Sequence, residues 1–154
     1  MKTLKNMNNT DITVILPIHN VSGKFEEWFS KAIKSIELSQ VRPGKLLLVC
    51  ADNKEVRTFM DSWESPEYIT TSILYNDGET NYCGQINFGV DSCDTEFFSI
   101  LEYDDEYSNI WFSQFNEYVE YYDEVDLFFP LVVDTDENGQ FIGFTNEALW
   151  AMGF

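Results

Sequence analysis

Positions 102–106, Glu-Tyr-Asp-Asp-Glu, place four carboxylates within five residues, directly after the apolar run 96–101 (EFFSIL). Hard oxygen ligands at that density suit Mg²⁺ or Mn²⁺, commonly held by one or two carboxylates while substrate phosphates and water complete the shell. A competing reading makes the same stretch a solvated acidic turn leading into a helix, where Asp and Glu favour the helix dipole. Three other polar groups also follow apolar runs: His19-Asn20, Ala51-Asp52-Asn53 and Asn76-Asp77-Gly78. Asp52 either accepts from a ribose or base or caps the helix after it. Asn76-Asp77-Gly78 is a turn signal that needs no function. His19 is the sole histidine, so a Ser-His-Asp or Cys-His mechanism would have to run through it. No G-x-S-x-G context recommends a nucleophile, and beside Pro17 the histidine reads as a turn residue.

The elements that must position these groups are written in the apolar periodicity. The stretch 12–18 (ITVILPI) is continuously β-branched and aliphatic, as in a strand buried on both faces of a parallel sheet, with Pro17 ending it. Phe25, Trp28, Phe29, Ala32, Ile33 and Ile36 recur at three- and four-residue steps and form one face of a helix, with Gly44 as punctuation after it. Strands are expected at 46–50 (LLLVC), 69–75 and 96–101, alternating with helices at 53–63 and 81–92. Trp111, Phe115, Tyr118, Val119 and Tyr122 mark another helix. A strand is expected at 125–133, interrupted by Pro130, and a hairpin within 131–144 around the turn Asp136-Glu137-Asn138-Gly139. Alternating strands and helices predict an α/β fold with a mainly parallel central sheet flanked by helices, Rossmann-like, with its ligand site at the carboxyl ends of the strands.

A chain of 154 residues accommodates one ordinary domain, expected over 12–154 after a flexible, Asn-rich N-terminus at 1–11. Its 44% hydrophobic content is too apolar for disorder. Nine Lys and Arg against 27 Asp and Glu leave a net charge of −18, which repels phosphate backbones and anionic lipids and argues against nucleic acid as a partner. A phosphate-bearing ligand in that field needs a divalent cation between them. Cys50, Cys83 and Cys93 are odd in number and lack C-x-x-C spacing, so reduced thiols and a cytoplasmic location are expected. No stretch approaches the ~18 apolar residues of a membrane span.

Taken in order, three segments resemble family-two glycosyltransferases of the GT-A fold. Residues 13–20 (TVILPIHN) are similar to the family's opening V-S-V-I-I-P-x-Y-N, and 47–52 (LLVCAD) to its second strand and following acid. Residues 84–106 (GQINFGVDSCDTEFFSILEYDDE) look like G-x-x-x-x-R-N-x-G, a helix and a strand ending in D-x-D-D. The resemblance implies binding of a nucleotide-diphosphate sugar for inverting sugar transfer. Pro17, Ile18, His19 and Asn20 would line the base, Asp52 would hydrogen-bond base or ribose, and Asn87 would sit near the diphosphate. Glu102, Asp104 and Asp105 would hold Mn²⁺ or Mg²⁺. Glu102 stands at the first acid of the motif, Ile86 where the family has arginine, and 51–54 (ADNK) where it has an acidic-Gly-Ser turn. The acceptor side, with the catalytic base, is expected largely beyond Phe154; Asp134, Asp136 and Glu147 are carboxylates available earlier, and none of them aligns with the base.

The alternative is a catalytically inactive glycosyltransferase-like module in a larger assembly, motivated by Ile86 and the altered second turn. It predicts an exposed apolar surface involving Phe141, Phe144, Leu149, Trp150 and Phe154, where a protein partner or a further C-terminal segment would pack. A phosphatase or receiver-like domain, which needs a nucleophilic Asp and a lysine at later strand ends, ranks below both, since the few lysines lie mostly before Lys54.

Overall fold

The computed structural model describes residues 9–122, 124, 126–136 and 138–144. Four parallel strands, β1 (Asn9–Ile18), β2 (Arg42–Ala51), β3 (Thr70–Asn76) and β4 (Phe97–Ile100), form one sheet in the order β3-β2-β1-β4. Between them run α1 (Phe25–Glu37), α2 (Lys54–Ser62) and α3 (Tyr82–Asp91), and α4 (Trp111–Tyr121) follows β4. The expected α/β sandwich with a mainly parallel sheet is the observed fold.

Val14, Ile15 and Leu16 in β1, and Leu48, Val49 and Cys50 in β2, are all fully buried. Successive strand residues point to opposite faces, so an unbroken buried run requires cover on both sides of the sheet. On one face α3 lies unusually close: a Cβ added to Gly89 would stand 2.7 Å from Ile15 and 3.0 Å from Val49. Elsewhere Phe25 and Phe29 of α1 stack at 5.4 Å, and both meet Phe59 of α2 edge-on.

Three boundaries differ from the sequence expectation. β1 includes residues ahead of the expected Ile12: Thr10 is buried and its hydroxyl donates to the Arg42 carbonyl at 3.4 Å. Pro17 does not end β1 but pairs in register with Val49. The Leu101 N–H donates to the Ile15 carbonyl, so residues of Ile15's parity face β4, and that ladder stops at Ile15. The donor missing at Pro17 therefore falls where no strand needs it. Gly44 lies inside β2 rather than before it; a Cβ there would come within 2.8 Å of the Thr10 carbonyl oxygen, so glycine is what permits the close approach of β1.

The chain falls into two compact units dividing between Glu117 and Tyr118. In the second, β5 (Val133–Thr135) and β6 (Phe141–Phe144) pair antiparallel, giving the hairpin expected from the Asp-Glu-Asn-Gly signal. Asp136 accepts from the N–H groups of Asn138 and Gln140, and Gly139 takes φ 76°, a left-handed conformation suited to glycine. The strand expected over 125–133 is absent among its described residues until Val133. Leu127, Phe129 and Leu131 there are more than 60% exposed, so the run has no sheet to join, and Pro130 interrupts any ladder. No helix among the described residues is long and apolar enough to cross a membrane.

Candidate functional site

A parallel sheet delivers all its carboxyl ends to one edge, and short contacts show which groups meet there. From the end of β2, the Asn53 side chain donates to the His19 carbonyl at 3.3 Å, and the Asp52 N–H donates to the Asn76 carbonyl at 3.0 Å. Gln85 of α3, fully buried, donates from Nε2 to the Ile18 carbonyl at 2.9 Å. The ends of β1, β2 and β3 are thus tied together by side chains and backbone of neighbouring loops. Of the residues expected to line the base, Pro17 and Ile18 are buried, His19 is exposed and Asn20 is partly buried, accepting from Ser22 at 2.9 Å.

The cap of α2 is Asn53, not Asp52: the Asn53 Oδ1 accepts from the Val56 N–H at 2.9 Å. Asp52 is left to its neighbours: Arg57 donates to both carboxylate oxygens, from Nε to Oδ1 and from Nη2 to Oδ2, the latter at 2.9 Å. This hydrogen bonding holds the Asp52 carboxyl below the usual carboxylate range. The Arg57 guanidinium also lies 4.0 Å from the centre of the Tyr75 ring in β3.

The acidic loop after β4 starts at buried Leu101 and turns at once, the Asp105 N–H donating to the Glu102 carbonyl at 3.1 Å. Tyr103 turns inward to the helix layer, its ring 5.0 Å from Phe25, 6.3 Å from Trp28 and 6.1 Å from His19. Glu102, Asp104 and Asp105 stay exposed. Tyr82, the first residue of α3, feels this loop: burial, then the Glu102 charge and hydrogen bond, then the Asp105 charge push its hydroxyl up to about 12. Farther along, Tyr107 anchors the loop, sharing a 2.7 Å hydrogen bond with the Ser99 hydroxyl and donating its N–H to Ser35 Oγ of α1 at 3.0 Å.

Among the described residues, no three His, Cys, Asp or Glu side chains form a group able to hold a metal by themselves. Exposed Glu102, Asp104 and Asp105 nonetheless have the hard-oxygen chemistry of a site whose shell is completed by substrate phosphates and water. Asn87 is exposed on α3, and none of the strand-end contacts above involves it. Asn76 is a turn residue, its side chain accepting from Gly78 and donating to the Glu79 carbonyl. Asp136 serves its own turn in the second unit, Asp134 is exposed in β5, and Glu147 lies outside the described residues. A groove lined by Phe29, Ile33, Phe59, Trp63 and Tyr68 contains none of the strand-end groups.

Arg57, Tyr75, Tyr82, Gln85 and Tyr107 escaped the sequence reading. Each acts through a partner on another element, as Gln85 does on a carbonyl 67 positions away, and single-residue patterns carry no such signal.

No protein-family model and no curated protein matches the chain. Among solved structures it is similar to the crystal structure of S. aureus TarS 1-349, a GT-A-type glycosyltransferase, at a TM-score of 0.52 and 11% identity over 74% of this chain. The chain corresponds to 33% of that structure's length. At this identity the likeness speaks for architecture: a central parallel four-stranded sheet flanked by helices, similar to a glycosyltransferase fold.

Proposed function

We propose that the chain is the donor-binding part of a glycosyltransferase-like domain, taking a nucleotide-diphosphate sugar through a divalent cation for inverting sugar transfer. The observation that carries this reading is the acidic loop 102–106 at the carboxyl end of β4, which pairs with β1 at the edge of a sheet ordered β3-β2-β1-β4. Ligands of open α/β sheets bind outside such strand ends. Glu102, Asp104 and Asp105 would hold Mn²⁺ or Mg²⁺, which when bound would neutralise charge developing on the leaving diphosphate. Asp52 and the 18–20 turn would receive the nucleoside, and Asn87 of α3 the diphosphate side. A separate carboxylate would deprotonate the acceptor hydroxyl.

Calorimetric titration with UDP-, GDP- and dTDP-sugars in the presence of manganese tests the reading. One of the three should bind, and binding should vanish on chelation. Asp104→Ala should abolish the metal-dependent component while circular dichroism stays unchanged. Absence of binding to all three donors removes the donor-site assignment; unchanged affinity in Asp104→Ala removes the metal role.

A second reading, an inactive glycosyltransferase-like interaction module, draws on the apolar surface of the hairpin unit. Phe141 is 60% and Phe144 56% exposed, while Leu149, Trp150 and Phe154 lie outside the described residues. This module would recruit a protein partner through that surface, and a protein that remains monomeric and captures nothing in pull-down experiments speaks against it.

A further inference from the structure

The Asp52 carboxylate is exposed enough to meet a ligand, yet it is not free to rotate. Its two oxygens receive a parallel fork from Arg57, whose guanidinium is in turn held over the Tyr75 ring. The three residues come from separate places: the turn after β2, the second turn of α2, and β3. The Asp52 backbone is pinned as well, by its N–H to the Asn76 carbonyl. A fork of this kind uses one lone pair on each oxygen and leaves the other on each available. The pair is a surface one, with side-chain exposures of 48% for Arg57 and 30% for Asp52. Exposed ion pairs add little to folding stability, so stability is a poor account of so much local order.

We infer that Arg57 is a positioning residue of the strand-end site, fixing the plane and direction of the Asp52 carboxylate so that its remaining lone pairs accept from the nucleoside of a bound nucleotide. This assignment rests on the nucleotide-sugar reading above. It requires arginine specifically: lysine would keep the charge but has neither the planar fork that grips both oxygens nor the flat face that lies on Tyr75. It also gives Tyr75 a purpose, since the ring limits the guanidinium to one plane. Asp61 adds a second negative charge near Arg57, favouring the charged guanidinium without occupying the fork.

The experiment uses the full chain and three probes, UDP, GDP and dTDP, titrated calorimetrically with manganese into wild type, Arg57→Gln and Arg57→Lys. Alongside it, the Asp52 carboxyl is titrated by carbon-detected NMR without nucleotide, and thermal melts are recorded. For the nucleotide that wild type binds, Arg57→Gln should weaken affinity about tenfold, the scale of one lost charge-assisted hydrogen-bond arrangement. The Asp52 carboxyl should return upward to the ordinary carboxylate range in that variant, while its melting temperature stays at the wild-type value. Arg57→Lys should recover only part of the lost affinity. Wild-type affinity in Arg57→Gln overturns the positioning role, and full rescue by lysine overturns it too, because charge alone would then suffice. If wild type itself binds none of the three nucleotides, the nucleotide-sugar reading falls; binding by wild type with no loss in Arg57→Gln sinks the Arg57 assignment alone.

Discussion

Cys50 and Cys83 have the same side chain in opposite settings. Cys50 is fully buried in β2 and its thiol is pushed up to about 12 by burial, whereas Cys83 is exposed in the first turn of α3. A maleimide reagent at pH 8 should therefore label Cys83 in the native protein and reach Cys50 only after unfolding, as read by peptide mass spectrometry; native labelling of Cys50 would contradict its burial. The linkage has a definite sign. A thiol raised from 9.0 to about 12 keeps its proton longer in the folded chain than in the unfolded one. Its contribution to stability is complete below pH 9 and declines as pH rises through that window. Denaturant midpoints measured across it should fall in wild type, and fall less in Cys50→Val. At this scale the sequence placed Asp52 and the acidic run 102–106 directly after apolar runs and left their partners unseen. Asp52 could be read as a cap or as a ligand, and what separated the roles was Asn53 taking the cap of α2 while Arg57 gripped Asp52.

Helix α3 carries both sequence motif and packing constraint. Its N-terminus is capped by Asn81, which accepts from the Gly84 N–H at 2.9 Å, and its Gly89 lies against Ile15 and Val49 of the sheet. The glycine of the N-x-G pattern thus has a packing reason: any Cβ there meets branched side chains that are themselves fully buried. Gly89→Ala should destabilise the fold by about 1–3 kcal/mol, the usual range for overpacking, despite alanine's better helix propensity. Chemical denaturation checks it, and a stabilised variant would mean that α3 sits farther from the sheet. The cap of α2 gives a smaller expectation: Asn53→Ala should lose about 1 kcal/mol. The apolar pattern located α1 to α4 and the four parallel strands, most clearly β1, β2 and α1, whose buried runs are long, while β4 has no fully buried residue. The pattern failed at 125–133, where an apolar run without a sheet to join reads the same as a strand.

The whole molecule carries a net charge of −18, so its folded state is under self-repulsion that salt should relieve. Its melting temperature should rise as NaCl is raised from ~0.01 to ~0.15 M, over which the Debye length shrinks from about 30 to 8 Å. A melt insensitive to salt would mean that ion pairing already compensates the excess. Composition, apolar periodicity and turn residues determined by themselves that this is an α/β chain with a parallel sheet and with acidic groups at the strand ends, because those signals are local and repeat along the chain. Only the tertiary structure decided which of those groups face one another: that Glu102 lies at the Tyr82 hydroxyl, that Gln85 ties α3 to the end of β1, and that Arg57, lying over Tyr75, holds Asp52. Such pairings are made by strand order and helix placement, and a hydrogen bond between distant positions leaves no periodic trace in either partner's sequence.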